Sequence, residues 1–313
     1  MAQQQVNQPL PSGYMLEGYR IDRQLSMGGF SIVYLAYDVD EVPVAIKEYL
    51  PNGLALRASG SSLPTIADEH LATFRQGMKC FFEEGRALAH LNHPNVVRVL
   101  NFFRANDTVY LVMQYERGRT LQEHIQMHKG RVRENFLRTM FSRLLNGLRE
   151  VHSRKLLHLD IKPANIYLRN DGTPVLLDFG AARQTLAADT TLLKPMFTPG
   201  FAAPEQFRSS EEGLGPWTDI YAVGASIYAC LAAAAPQSAD QRLIQDRLEP
   251  AAKRWAGKYS AQLLDTIDRC LQLDTRARPR GIIELQRALA ERPDTGARWF
   301  AALRQRLLKA IAP

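Results

Sequence analysis

One stretch constrains this chain more than any other: residues 158–165, which read His-Leu-Asp-Ile-Lys-Pro-Ala-Asn. They place a carboxylate (Asp160), an ammonium group (Lys162) and an amide (Asn165) on one short loop. A second carboxylate, Asp178, opens an Asp-Phe-Gly triplet 13 residues after Asn165. Carboxylate and amide oxygens suit Mg²⁺, which commonly shares its coordination shell with phosphate oxygens. The pattern therefore indicates a base, a cation and a metal site brought together.

Such a set suits phosphoryl transfer, whose loose transition state asks a protein mainly for positioning and positive charge. A lone Asp-Phe-Gly triplet recurs by chance, but further motifs follow here in a fixed order. They are Val44-Ala45-Ile46-Lys47, His93-Pro94-Asn95, Ala203-Pro204-Glu205, Asp219 and Arg278-Pro279. With these motifs, the chain from about Tyr19 to Leu289 resembles a protein kinase. The run Glu48-Tyr49-Leu50-Pro51, followed by a long insert, resembles bacterial serine/threonine kinases in particular.

The resemblance implies an α+β, two-lobed kinase fold. A small antiparallel-sheet N-lobe would span residues 18–115 with an insert at 51–70, and a mainly helical C-lobe would span 116–290. Residues 1–17 are rich in Gln, Asn and Pro with few apolar anchors, which predicts a disordered leader. Residues 291–313 are predicted to form a basic amphipathic helix, which could pack on its own domain, bind a partner protein or lie on an anionic membrane.

The resemblance also assigns roles to single residues. Asp160 would be the base, Lys162 would stabilise the transferring phosphate, and Lys47 would position ATP. A lysine in an apolar strand is costly to bury alone, so Lys47 needs the phosphates and a helix glutamate. Counting back from His93-Pro94-Asn95 favours Glu84 over Glu83. The implied catalytic set is Asp160, Lys162, Lys47 and Glu84, and the implied ligands of Mg²⁺, or of Mn²⁺ in its place, are Asn165 and Asp178.

The nucleotide loop departs from the family pattern. Kinases carry G-x-G-x-x-G-x-V at this point, but Ser26 and Ser31 replace two of the three glycines and only Gly28 matches. Taken without the resemblance, this is a hairpin with a Gly-Gly turn. The departure keeps open a pseudokinase or scaffold that binds nucleotide without turnover. The implied nucleotide contacts are Gly28, Gly29, Phe30, Val33, Ala45, Lys47, Met113, Gln114, Glu116 and Tyr167, with the backbone of Gln114 and Glu116 pairing with adenine.

Residues 178–205 correspond to a kinase activation segment. In the serine/threonine pattern that Thr198-Pro199-Gly200-Phe201 resembles, Thr198 bridges Asp160 and Lys162. This implies protein substrates with Ser or Thr hydroxyls, and small-molecule kinases generally lack such a platform. Leu159 stands where many kinases have an arginine that pairs with a phosphate on this segment, so we expect little dependence on phosphorylation there. The other threonines of the segment are Thr185, Thr190 and Thr191.

Three further residues are implied to have structural roles. Asp219 would hold the backbone of the catalytic loop, although it could equally cap the helix that begins near it. Arg278 would pair with Glu205 in the C-lobe. A buried ion pair that loses one partner costs about 3–5 kcal/mol, so loss of either residue should loosen this lobe.

Composition limits the partners and the compartment. The net charge of +7, from 39 basic and 32 acidic residues, suits a protein that binds a polyanionic nucleotide. Zinc-ligand spacings and RNA-binding motifs are missing from the sequence, so nucleic acid is not an expected partner. Cys80, Cys230 and Cys270 follow no metal spacing, which favours free thiols in a reducing compartment. No signal peptide precedes the domain, so we expect a cytoplasmic protein, with membrane contact only through 298–313. The resemblance also allows a cognate phosphatase.

Overall fold

The N-terminal lobe is built on one antiparallel sheet. A computed structural model describes residues 7–129, 131–179, 198–207 and 213–290. Six strands pair in the order β1-β2-β3-β4-β8-β7. Their bounds are β1 Met15–Leu16, β2 Tyr19–Met27, β3 Ser31–Tyr37, β4 Pro43–Tyr49, β7 Val99–Ala105 and β8 Thr108–Gln114.

Helix α1, Asp68–Ala89, lies against this sheet. Its buried residues include Phe74, Phe81 and Leu88, which recur every seven positions and so share one face. Asp68 and Glu69 place negative charge in its first turn, which is favourable next to the positive end of the helix dipole.

The C-terminal lobe has its own core, separate from that of the N-lobe. Helix α5, Pro216–Ala232, lies at its centre and is buried from Thr218 to Leu231, because its sequence is apolar on all sides. The other helices are α2 Leu121–His128, α3 Glu134–Ser153, α4 Pro204–Phe207, α6 Ala239–Ile244, α7 Ala251–Arg254, α8 Ala261–Cys270 and α9 Ile282–Ala290. The predicted α+β, two-lobed architecture is confirmed.

A small three-stranded sheet positions the residues predicted to be catalytic in the C-lobe. Its order is β11-β10-β9, with β9 Gly118–Thr120, β10 Ile166–Arg169 and β11 Pro174–Leu176. A 3₁₀ turn, Pro163–Asn165, leads from the catalytic loop directly into β10. Another, Thr275–Ala277, precedes Arg278. Because β10 and β11 form a hairpin, Asn165 and Asp178 are brought to the same end of this sheet.

The expectation of a disordered leader over residues 1–17 is wrong for residues 7–17. Asn7 and Leu10 are buried, and β1 pairs with β2. The sequence misled because it has few apolar anchors here, whereas Leu10 and Leu16 both enter the core of the N-lobe and Asn7 and Gln8 make hydrogen bonds to the insert. Residues 1–6 and the predicted tail helix at 291–313 lie outside the described residues.

The insert at 51–70 is also structured. It contains a short antiparallel hairpin, β5 Ala55–Leu56 with β6 Thr65–Ile66, and it runs directly into α1. Arg57, which follows β5, is fully buried. In the part of the chain that the structure describes, no helix is long and apolar enough to cross a bilayer.

Candidate active site

The backbone of the catalytic loop is held by Asp219. This carboxylate, fully buried at the start of α5, accepts the N–H of His158 at 2.9 Å and that of Leu159 at 2.8 Å. His152 Nε2 lies 2.7 Å from Asp219 Oδ2. Burial alone would raise the pKa of Asp219, but the hydrogen bond and charge of His152 and the hydrogen bond from the His158 N–H outweigh it, and the pKa lies below its ordinary value. Two roles were predicted for Asp219, and these contacts are those of a residue that anchors the loop.

Three polar side chains meet around Asp160. Lys162 Nζ lies 3.0 Å from both Asp160 carboxylate oxygens and donates to Thr198 Oγ1 at 2.8 Å. The Thr198 hydroxyl in turn donates to Asp160 Oδ1 at 3.2 Å. Asn165 Nδ2 donates to Asp160 Oδ2 and to the Asp160 carbonyl, both at 2.9 Å. The structure thus brings together a carboxylate, an ammonium group and a hydroxyl, and the contacts of Thr198 are the ones that the resemblance implies.

Lys47 pairs with the second carboxylate. Its ammonium group is 3.1 Å from Asp178 Oδ1, and only 5% of its side chain is exposed. It also lies 5.5 Å from the centre of the Phe81 ring. The ion pair expected with Glu84 is not formed among the described residues: Glu84 lies on α1, is half-buried and makes other interactions. Glu83, by contrast, is exposed and pairs with Arg86.

A cavity of about 390 Å³ opens between the lobes beside these groups. Leu25 and Ser26 cover it from the N-lobe, and Asp178 lies at its inner end together with Leu177. Six of the predicted nucleotide contacts line it: Val33, Ala45, Met113, Gln114, Glu116 and Tyr167. Its walls are mainly apolar with a few polar groups, which is the usual make-up of a small-molecule site.

The tip of the nucleotide loop does not line this cavity. Gly28, Gly29 and Phe30, like Lys47, are not among its lining residues. Instead the Gly28 N–H donates to Ser31 O, and the carbonyls of Gly29 and Phe30 accept hydrogen bonds from the N–H groups of Asn52 and Leu50, respectively. Phe30 packs against the core of the N-lobe. Their role toward a nucleotide therefore stays a prediction.

His158 is held as a neutral imidazole beside the base. Its Nε2 lies 2.9 Å from the Leu177 carbonyl, and its Nδ1 accepts the Asp160 N–H at 3.3 Å. An imidazole that donates from one nitrogen and accepts at the other is uncharged. Burial lowers the pKa of His158, opposed by the nearby carboxylates of Asp219, Asp160 and Asp178. The ring also stacks on Phe179 at 4.4 Å, so it links the two loops that carry Asp160 and Asp178.

The Glu205–Arg278 pair joins the end of the activation segment to the C-lobe. Arg278 donates from both terminal nitrogens to the Glu205 carboxylate, at 2.8 and 3.0 Å. The side chains are 2% and 0% exposed. Arg278 also donates to the carbonyls of Trp217 and Gln272. Next to Glu205, Gln206 donates to the Leu159 carbonyl at 3.1 Å, so this region contacts the catalytic loop as well.

Two features of the cavity mouth were missed from the sequence. Arg169 donates to both carboxylate oxygens of Glu116, at 2.6 and 2.7 Å, and so ties the interlobe segment to β10. Glu123 lines the cavity and forms a capping box with Thr120 at the start of α2. The Thr-x-x-Glu spacing could have revealed the capping box, but no local signal marks the Arg169 pair, whose partners are 53 residues apart.

The residues expected to hold a divalent cation fit that role. Asn165 uses its amide nitrogen for the Asp160 bonds, which leaves its oxygen as the atom that could bind a metal. Asp178 contributes a carboxylate that lines the cavity. A carboxylate and an amide oxygen are hard donors that suit Mg²⁺, which retains waters and phosphate oxygens in its shell. Thr185, Thr190 and Thr191 lie outside the described residues.

This fold and this site are those of a protein kinase domain, and comparison with known proteins agrees. The protein kinase domain family matches residues 19–289. Serine/threonine-protein kinase PknL of Mycobacterium tuberculosis is 29% identical over 245 residues, which are 78% of this chain and 56% of that protein. Serine/threonine-protein kinase D of a Synechocystis species is 33% identical over 226 residues, 68% of this chain and 40% of that protein.

A solved structure, the apo form of PpkA-294, is 36% identical to this chain with a TM-score of 0.81. The match covers 90% of this chain and 99% of that one. The chain therefore belongs to the protein kinase family. The predicted resemblance to bacterial serine/threonine kinases and the predicted kinase fold are both confirmed. The chain spans about half the length of the curated relatives it matches.

Proposed function

We propose that this chain is a serine/threonine protein kinase that transfers the γ-phosphate of ATP to Ser or Thr hydroxyls of proteins, its own included. The observation that carries the proposal is the contact set of Thr198, Lys162 and Asp160, with separations of 2.8 to 3.2 Å. It couples the segment on which a peptide would lie to the base and the cation that phosphoryl transfer needs. The similarity to proteins named serine/threonine kinases supports the same assignment.

In this proposal Asp160 accepts the proton of the substrate hydroxyl, within hydrogen-bond reach of the reacting oxygen. Lys162 lies against Asp160 and supplies positive charge where phosphate oxygens gain negative charge. Thr198 fixes both side chains. Lys47 and Glu84 would position the α and β phosphates, which would require a closer approach of Glu84 to Lys47 than the structure has.

Binding of nucleotide and metal is assigned to the interlobe cavity. Adenine would lie between Val33, Ala45 and Tyr167, next to Met113. The Gln114 N–H donates to Arg98 O at 2.9 Å, so the polar contact of this residue would use its carbonyl, and Glu116 would contribute its N–H. Asn165 and Asp178 would hold Mg²⁺, or Mn²⁺ in its place, and the metal when bound neutralises phosphate charge.

The setting of the enzyme is part of the proposal. We assign it to the bacterial cytoplasm, with protein substrates and a cognate phosphatase as partners and without a role for nucleic acid. The same proposal includes the lobe boundaries at residues 18–115 and 116–290 and the tail helix at 291–313. It limits membrane contact to residues 298–313.

The test is transfer of labelled phosphate from γ-labelled ATP with Mg²⁺, with and without a generic basic protein substrate. Wild type is compared with Asp160→Asn and Lys47→Met, each first shown to be folded by circular dichroism. We expect phosphoserine or phosphothreonine from the wild type only. Nucleotide binding without transfer in every sample would refute the proposal and favour a scaffold that binds nucleotide without turnover.

A further inference from the structure

A buried ion pair ties the insert to the sheet. Glu48 follows Lys47 on β4 and points to the opposite face of the strand. Glu48 and Arg57 are both 0% exposed. Arg57 donates from both terminal nitrogens to the Glu48 carboxylate, at 2.5 and 2.7 Å, and the hydroxyls of Tyr34 and Tyr110 each donate to it at 2.7 Å. Because a buried carboxylate is costly without partners, the sheet requires this residue of the insert.

Residues 7–10, which we call the strap, lie across the insert. The Asn7 side chain accepts the Arg57 N–H at 2.5 Å and donates to the Ala55 carbonyl at 3.1 Å and to Asn52 Oδ1 at 2.9 Å. Gln8 exchanges two hydrogen bonds with Arg57, at 3.1 and 2.8 Å. The strap is therefore joined to the insert at both Asn52 and Arg57.

Leu50, which follows β4, and Asn52 of the insert in turn hold the backbone of the nucleotide loop. The Leu50 N–H donates to Phe30 O and the Asn52 N–H donates to Gly29 O, both at 2.9 Å. These carbonyls belong to the tip of the loop. A loop that binds phosphates does so through its backbone N–H groups, so fixing its carbonyls fixes where those groups lie. Asn52 is the residue that contacts both the strap and the loop.

We infer that the strap and the turn at residues 50–57 position the nucleotide loop for the phosphates of ATP, with Asn52 as the positioning residue that joins them. This inference rests on the proposed function, because it concerns the same nucleotide site. The inference also gives the insert a role. The family pattern relies on glycines in the nucleotide loop, two of which are replaced by Ser26 and Ser31 in this chain. Here contacts from outside the loop set the position of the loop.

The turn allows a test that removes a single backbone donor. Asn52 is the second residue of a turn closed by the Leu54 N–H and Pro51 O at 3.0 Å, a position that proline suits. Asn52→Pro therefore keeps the turn and deletes the bond to Gly29 O. Asn52→Ala keeps that bond and deletes only the contact to Asn7. Asn7→Ala removes the hydrogen bonds of the Asn7 side chain to Arg57, Ala55 and Asn52 and leaves Asn52 itself unchanged.

The measurement is calorimetric affinity for ATP with Mg²⁺ and, separately, for adenosine, which lacks the phosphates. Asn52→Pro should bind ATP about 3- to 10-fold more weakly than Asn52→Ala, because it also lacks the hydrogen bond to Gly29 O. The affinities of the two variants for adenosine should differ by less than about 2-fold. Asn7→Ala should show a smaller loss that is again selective for ATP. A merely structural role would lower both affinities together.

Equal losses for ATP and adenosine, or unchanged ATP affinity in both Asn52→Pro and Asn7→Ala, would overturn the inference. Calorimetry requires no phosphate transfer, so a chain that binds ATP without turnover would refute the proposed kinase activity and still decide the role of the strap. A wild-type chain without affinity for ATP would overturn both.

Discussion

Replacing Arg57 with methionine should destabilise the whole N-lobe, because Glu48 would be left as a buried charge. The Glu48 carboxylate is fully buried and accepts four hydrogen bonds, two of them from Arg57. Breaking a buried ion pair on one side costs about 3–5 kcal/mol. Arg57→Met is therefore expected to lower the free energy of unfolding by about that amount, measured by urea denaturation followed by far-ultraviolet circular dichroism.

Two further variants separate the electrostatic cause from simple loss of packing. Arg154→Met removes a half-exposed pair with Glu150 and should cost less than about 1 kcal/mol. Adding Glu48→Gln to Arg57→Met removes the orphaned charge while Gln keeps an oxygen for the tyrosine hydroxyls, and should recover roughly 1–3 kcal/mol. The reasoning fails if Arg57→Met costs no more than Arg154→Met, or if the double variant is no more stable than Arg57→Met alone.

Three other predictions concern the catalytic loop and the segment after it. Thr198→Ala should lower kcat roughly 10- to 100-fold, because it removes hydrogen bonds to the charged Lys162 and Asp160, whereas Thr198→Ser should retain most activity in the same assay. His158, whose pKa is lowered in the fold, is protonated in the unfolded chain below about pH 6.5. Stability should therefore fall as the pH drops below that value, by at most about 1.4 kcal/mol per pH unit for this group, and denaturation curves of His158→Gln should lack that part of the slope. Activity of a folded triple alanine variant at Thr185, Thr190 and Thr191 should stay within a few-fold of wild type, and its loss would show that the segment must be phosphorylated.

The sequence predicted the catalytic loop well because its chemistry is local. Asp160, Lys162 and Asn165 lie within six consecutive residues, and their contacts follow once the loop leads into β10. Asp219 was predicted by resemblance, although its sequence position alone fitted a helix cap equally well. Only the fold, which brings it within 2.9 Å of two loop N–H groups, distinguishes these roles.

The strap and the insert could not be read from local patterns. Asn7 lies 50 residues from Arg57, and a polar N-terminal segment ordinarily indicates disorder. One signal was nevertheless present. Lys47 was expected to need partners because a charge in an apolar strand is costly to bury, and the same argument applies to its neighbour Glu48. Applied there, it would have predicted a cation from the insert.

The sequence could not predict which carboxylate pairs with Lys47, and the reason is different. Asp178 and Glu84 are both anionic and both assigned to the site, so residue type cannot decide between them. The choice depends on how far α1 lies from β4 and on the backbone of Asp178, which has a left-handed φ of 49°.

Leu159 shows how the fold tolerates a departure from the family pattern. Its φ of 63° lies in the left-handed region, which costs a residue with a side chain about 1–2 kcal/mol. Two hydrogen bonds from the loop backbone to the buried Asp219 carboxylate offset this, since a bond to a charged group contributes about 1.5–3 kcal/mol. Gln206 holds the Leu159 carbonyl as well. The conformation that aims Asp160 is thus fixed by residues about 50 to 60 positions away, and not by the side chain at position 159. An arginine there would add a partner for a phosphate but no support for the loop, which is the physical reason to expect that this kinase works without one.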